Sequence, residues 1–177
     1  NEKDLKEFLD EKVDLYLNPN FIADDPIRIP HSFNQKEDIE ISAFLSATIA
    51  WGRRSMIMKN ANHMMNIMDG SPHQFILHAS PTEIKKSLNF CHRTFQGVDF
   101  QAFIYSLRNL YKNHQGLEGA FFTDKEDMSE GISNFKKLFF SIEHPARTEK
   151  HISNPLKGSA AKRLIMFLRW MVRSNKE

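Results

Sequence analysis

Apolar residues return every three or four positions through almost the whole chain, a spacing that predicts helices rather than strands. Between residues 3 and 17, Leu5, Phe8, Leu9, Val13 and Tyr16 form one apolar stripe on a charged segment, and Asn18 with Pro19 is expected to end that helix. The next stretch, NPNFIADDPIRIPHSFN, has three prolines and no period, so it reads as an ordered loop laid over the surface. A second helix is expected from about residues 34–36 to Trp51, with Gly52 as its C-terminal cap. Its apolar residues, among them Ile39, Ile41, Phe44, Leu45 and Ile49, point in all directions, which marks a helix buried at the centre of a domain.

The pattern continues to the end of the chain. A Met-rich helix is expected over residues 53–69 and closes at Gly70 and Pro72. Short helices opened by Ser-Pro pairs are expected at 72–79 and 81–88, since Ser suits the cap and Pro the first helical position. Longer ones follow at 99–113 and 126–142, and a last one runs from Ser159 or Ala160 to about Arg173. No segment reads as a strand, and no repeat or linker divides the chain. The expectation is one all-α domain over residues 1–177.

Composition narrows this picture. The chain has 177 residues, of which 41% are hydrophobic and 26% charged, enough apolar content for one sizeable core. No apolar run approaches the roughly 20 residues that cross a bilayer, and the opening NEKDLKEFLDEK does not read as a secretory signal. The single cysteine, Cys91, fits a reducing compartment, so the expected location is the cytoplasm. Eight histidines are scattered without a metal-ligand spacing, so neither a metal nor another cofactor is expected. No glycine-rich loop suits a nucleotide. Cys91 and His92 are adjacent and point apart, which argues against a thiol–imidazole pair.

Charge changes the picture more, because a net charge of +2 hides an asymmetry. Residues 1–40 hold eleven acids against five bases, whereas residues 147–177 hold eight bases against two acids. A basic tail suggests an anionic partner such as nucleic acid. On a wheel of about 100° per residue, Ala161, Leu164, Ile165, Leu168 and Val172 share a face of the last helix that is expected to be buried. Lys162, Arg169 and Arg173 share another, with Arg163 expected to stack on Trp170. Before them, Lys157, Gly158, Ser159 and Ala160 give a tight turn with small side chains, so the amides of Ser159, Ala160 and Ala161 are expected to open towards a phosphate. Lys162 falls in the first turn beside Arg163, where dipole and neighbour are expected to lower its pKa and expose a nucleophilic amine. A solvent or phosphate contact is the plainer role for the same residue.

Two stretches carry a resemblance. ISAFLSATIAWGRRSMIMKNANHMM (Ile41 to Met65) resembles the opening helices of the helix-hairpin-helix DNA glycosylase core, and GSAAKRLIMFLRWMVR (Gly158 to Arg173) resembles its hairpin and lysine helix. With the loop DPIRIPHSF they are also similar to a bacterial family, domain of unknown function 2400. The glycosylase resemblance implies that Gly158 and Ala160 take the two hairpin glycine positions and that Lys162 takes the place of the lysine that attacks C1′ of the sugar. It places the catalytic aspartate downstream of that helix, and because the chain ends at Glu177 the C-terminal part of the natural domain is expected to be missing.

The expected partner is therefore duplex DNA, damaged DNA included, with no membrane. The expected function is DNA binding, extended to a repair glycosylase or AP lyase with Lys162 as Schiff-base lysine. Lys157, Gly158, Ser159, Ala160, Arg163, Arg169 and Arg173 are expected to hold DNA, with a base pocket lined by Trp51 and residues 24–33. The alternatives are a non-catalytic helical DNA-binding module, or a protein-interaction domain that uses Trp170 and the Met-rich helix.

Overall fold

Nine consecutive buried residues, Glu40 to Thr48, form the axis on which the other helices pack. They belong to α3 (Lys36–Thr48), the helix whose apolar residues pointed every way, and Phe44 at its centre touches the rings of Phe103, Phe135, Phe139 and Phe167. Rings at such separations prefer offset-stacked or edge-to-face contacts, and these four pairs include both kinds. The computed structural model describes residues 1–16, 19–121 and 127–172.

Around α3 stand α4 (Arg54–Ile67), α5 (Pro72–His78), α7 (Gly97–Asn113), α9 (Met128–Phe139) and α10 (Lys162–Val172). The all-α class therefore holds, and most helix positions lie within a few residues of those the periodicity predicts. At α6 (Pro81–Ile84) the Ser-Pro signal works as physics requires: Ser80 Oγ accepts from Glu83 N, and Glu83 Oε2 accepts from Ser80 N at 2.8 Å.

Four expectations need correction. The proline-rich stretch is not a surface loop: it holds α2 (Pro19–Asp24) and two 3-10 turns, and Pro26, Ile27, Ile29 and Pro30 are buried. Asp25 Oδ1 accepts from Ile27 N at 3.0 Å and starts the first of these turns, a local capping bond that apolar period cannot reveal. A strand pair exists where none was expected, with β1 (Cys91–His92) antiparallel to β2 (Phe95–Gln96). Helix α8 (Gly116–Phe121) is too short to show a period. The last helix begins at Lys162, not at Ser159 or Ala160.

Candidate nucleic-acid interface

The late start of α10 has a local cause. Asn154 Oδ1 accepts from Leu156 N at 3.0 Å and sets a 3-10 turn over Pro155–Lys157, which Gly158 ends at φ +81°. Ser159 Oγ then accepts from Ala161 N, and Ala161 itself is left-handed at φ +44°. That conformation costs a non-glycine residue about 1 kcal/mol. Only after it does the backbone turn helical, with Ile165 N bonding to Ala161 O at 3.0 Å. The free amides at the head of α10 thus begin at Lys162 rather than at Ser159.

The faces of α10 also differ from the wheel. Ala161, Leu164 and Phe167 are buried, whereas Ile165 and Val172, expected inside, are exposed. Lys162 and Arg169 share the outer side with them, and Lys157, Gly158 and Ala160 are exposed on the turn, with Ser159 half-buried. Arg173 lies outside the described residues. Arg163 does not stack on Trp170. Its guanidinium lies 4.6 Å over the ring of Trp51, and its Nη1 donates to the carbonyl of Thr48, the last residue of α3. Burial pushes the Arg163 pKa below its ordinary value. An arginine still keeps its charge at neutral pH, so the ring holds a cation.

Trp51 sits in a bend that Gly52 makes possible, with φ +107° and the Arg93 side chain where a Cβ would stand. The indole packs edge-on against His92 at 5.0 Å, and His151 lies beyond it. Asn60 Nδ2 lies 2.7 Å from His92 Nδ1 and the Trp51 carbonyl 3.2 Å from Nε2, so the proton of a neutral ring sits on Nε2 and donates to Trp51. Burial is the main cause that lowers the His92 pKa, with Arg93 adding to it. At the place where a base pocket was expected, Arg163, His92 and His151 surround the Trp51 indole, and Pro26, Ile27, Ile29 and Pro30 of the loop are buried while Asp24, Arg28, His31 and Ser32 are exposed.

A buried carboxylate organises the other side of the bend. Asp99, fully buried near the start of α7, accepts from Gln96 N at 2.9 Å and from Thr148 Oγ1 at 2.8 Å. It pairs with Arg147 at 3.2 Å, and Arg147 also donates to the Thr94 carbonyl and to Gln96 Oε1. His151 Nε2 lies 3.4 Å from Asp99 Oδ2, within Coulomb reach but without the angle of a hydrogen bond. Its pKa is lowered chiefly by burial, against the pull of Asp99. Lys136 clamps the same segment from α9, donating to the carbonyls of Glu149 and Ile152 at 2.8 and 2.7 Å.

Arg93, Arg147 and Arg163 therefore meet around the bend and the β1–β2 turn, next in sequence to exposed Arg53. Of these the sequence reading singled out only Arg163. The signal it passed over was WGRR, Trp51 to Arg54, where an aromatic and two cations follow the end of a buried helix. Among the described residues no cluster of His, Cys, Asp or Glu is placed to hold a metal, and no helix is long and apolar enough to cross a membrane.

The described residues thus define a protein of the all-α class with one short strand pair and an arginine-rich bend tied to its last helix. The chain belongs to the family described as Protein of unknown function (DUF2400), which matches residues 25–177. No curated protein and no solved structure matched it.

Proposed function

We propose that this chain is a DNA-binding protein whose cationic face joins the 155–161 turn and the head of α10 to the arginines of the Trp51 bend. One observation carries the reading. Arg163, next to Lys162, is clamped on Trp51 and Thr48, so it fixes the basic C-terminal helix to the end of α3 from which Arg53 emerges. A cation already desolvated on an aromatic ring positions its neighbours instead of contacting phosphate itself. The exposed Lys157, Lys162, Arg169 and Arg53 are then the groups left for phosphate oxygens. Phosphate contacts release counterions, so affinity for a duplex should fall steeply with salt.

The resemblance to helix-hairpin-helix glycosylases gives this reading its sharper form, with Lys162 as a lyase nucleophile. Its Nζ would add to C1′ of an abasic sugar, water would leave, and a carbon–nitrogen double bond would remain. Borohydride delivers hydride to that bond and makes the adduct permanent. The test is borohydride trapping on a duplex with one abasic site, comparing wild type with Lys162→Ala, alongside a salt titration of binding. A band lost in the variant supports the lyase form. No band from a chain that binds the duplex with steep salt dependence leaves a phosphate-gripping module. Failure to bind any duplex at low salt overturns both.

A further inference from the structure

Helix α1 (Glu2–Tyr16) presents Leu5, Phe8, Leu9 and Val13 on one side, each between 51% and 58% exposed. The rest of the helix is acidic, with Glu2, Asp4, Glu7, Asp10, Glu11 and Asp14 against three lysines. From Glu2 to Leu15 every side chain except that of Lys12 is exposed, so within one copy this stripe is not buried against the body. Scattered single apolar residues on a surface are ordinary, but four large ones in a stripe mark a contact.

The complement lies at the other end of the chain. Helix α10 turns Lys162, Ile165, Arg169 and Val172 outward, a row of alternating cations and apolar groups, with Ile165 46% and Val172 83% exposed. Val172 also stands at the edge of a groove of about 550 Å³ between α3, α8 and α10, lined by Ile39, Leu117, Phe121, Leu168, Trp170 and Met171. An acidic helix with an apolar stripe fits the cationic outer face of α10 and the apolar part of the groove beside it, whose Glu40 and Glu118 are already paired to Lys36. We infer that α1 of one copy docks on α10 and the adjoining groove of a second copy, and that the exchange is reciprocal, closing a two-fold dimer.

A helix of 15 residues is about 22 Å long and about 10 Å wide. Laid twice across a two-fold axis, it covers about 440 Å², or about 880 Å² counting both faces of each contact, which is the size of a weak, reversible pairing and not of a permanent one. In a two-fold dimer, residue i of one copy that meets residue j of the other is matched by j meeting i, which α1 meeting α10 twice satisfies. The inference does not rest on the DNA reading, since a chain without affinity for DNA can still pair this way, but both use Lys162 and Arg169, so pairing and duplex binding exclude one another on α10.

Analytical ultracentrifugation of the wild-type chain, Leu9→Glu, Ile165→Glu and an equal mixture of the two variants tests it. Both positions are exposed, so the variants should keep the wild-type circular dichroism; Val13→Glu and Val172→Glu replace them if either does not. The expected result is a wild-type dimer, each variant weakened by about tenfold or more, and a mixture that associates more strongly than either variant alone. The mixture regains strength because one of its two contacts is intact. A monomeric wild type overturns the inference. So does an Ile165→Glu chain that pairs as tightly as wild type, which would mean that the outer face of α10 is not in the contact. A mixture no stronger than its parts overturns it too.

Discussion

Around the Trp51 bend two arginines are held: Arg147 by Asp99, Thr94 and Gln96, and Arg163 by Trp51 and Thr48. Along residues 157–169 the cations Lys157, Lys162 and Arg169 stand exposed, with no side-chain hydrogen bond or ion pair among the described residues. The two regions carry the same sign of charge but divide two tasks. Held arginines tie segments far apart in sequence to one another, and free cations adapt to whatever anion approaches. Substitutions at the bend should therefore move stability, and substitutions on the turn should move binding.

The strongest way to break that division is Asp99→Ala. It removes three partners of a fully buried carboxylate, including the cap of α7, and should lower unfolding free energy by about 3 kcal/mol in denaturant titrations. A loss under about 1 kcal/mol would show that the bend is not organised by this group. Next, Arg163→Ala should cost about 2 kcal/mol through the lost ring contact and carbonyl bond, and weaken any duplex affinity. Loss of affinity with unchanged stability would place Arg163 among the free cations instead.

Acid should act on the bend as well. His92 and His151 both have pKa values lowered from 6.5, mainly by burial, so the unfolded chain takes up their protons first. Their contribution is complete above about pH 6.5 and is lost as pH falls below it, by up to about 1.4 kcal/mol per pH unit for each ring until the folded pKa is reached. Unfolding at pH 7.5 and 5.5, checked by imidazole shifts in nuclear magnetic resonance spectra, would read this. Rings that titrate at the ordinary value would contradict it. The smallest stability effect is expected at Lys162→Ala, within about 0.5 kcal/mol of wild type. In the same variant the slope of log affinity against log salt should fall by about one.

Helix α3 shows what was legible in advance. Its apolar residues face every direction because it is surrounded, and a period carries that information without any knowledge of partners. The same holds for α4, α5, α7 and α9, whose stripes face one core. What stayed hidden depends on contacts across the sequence or on single local bonds. The partner of Arg163 is Trp51, over a hundred positions away, so a helical wheel could only assign it to Trp170 on its own helix. The outward turn of Ile165 and Val172 follows from the same limit, because a wheel ranks residues by polarity and not by what lies opposite. The start of α10 was displaced by one serine–amide bond and a left-handed alanine, neither of which has a periodic signature. For the candidate site, the free cations were readable from composition, and the buried frame that holds the arginines was not.

The exposed turn at Lys157 and Gly158 has a consequence for handling the protein. Trypsin meets a lysine there that stands out from the surface, in a loop of small residues. A cut after Lys157 would sever α10 from the rest of the backbone, yet Leu164 and Phe167 would still be buried against α3 and Arg163 still clamped on Trp51. The nicked chain should therefore travel as a single particle in native buffer and separate into two fragments only when denatured.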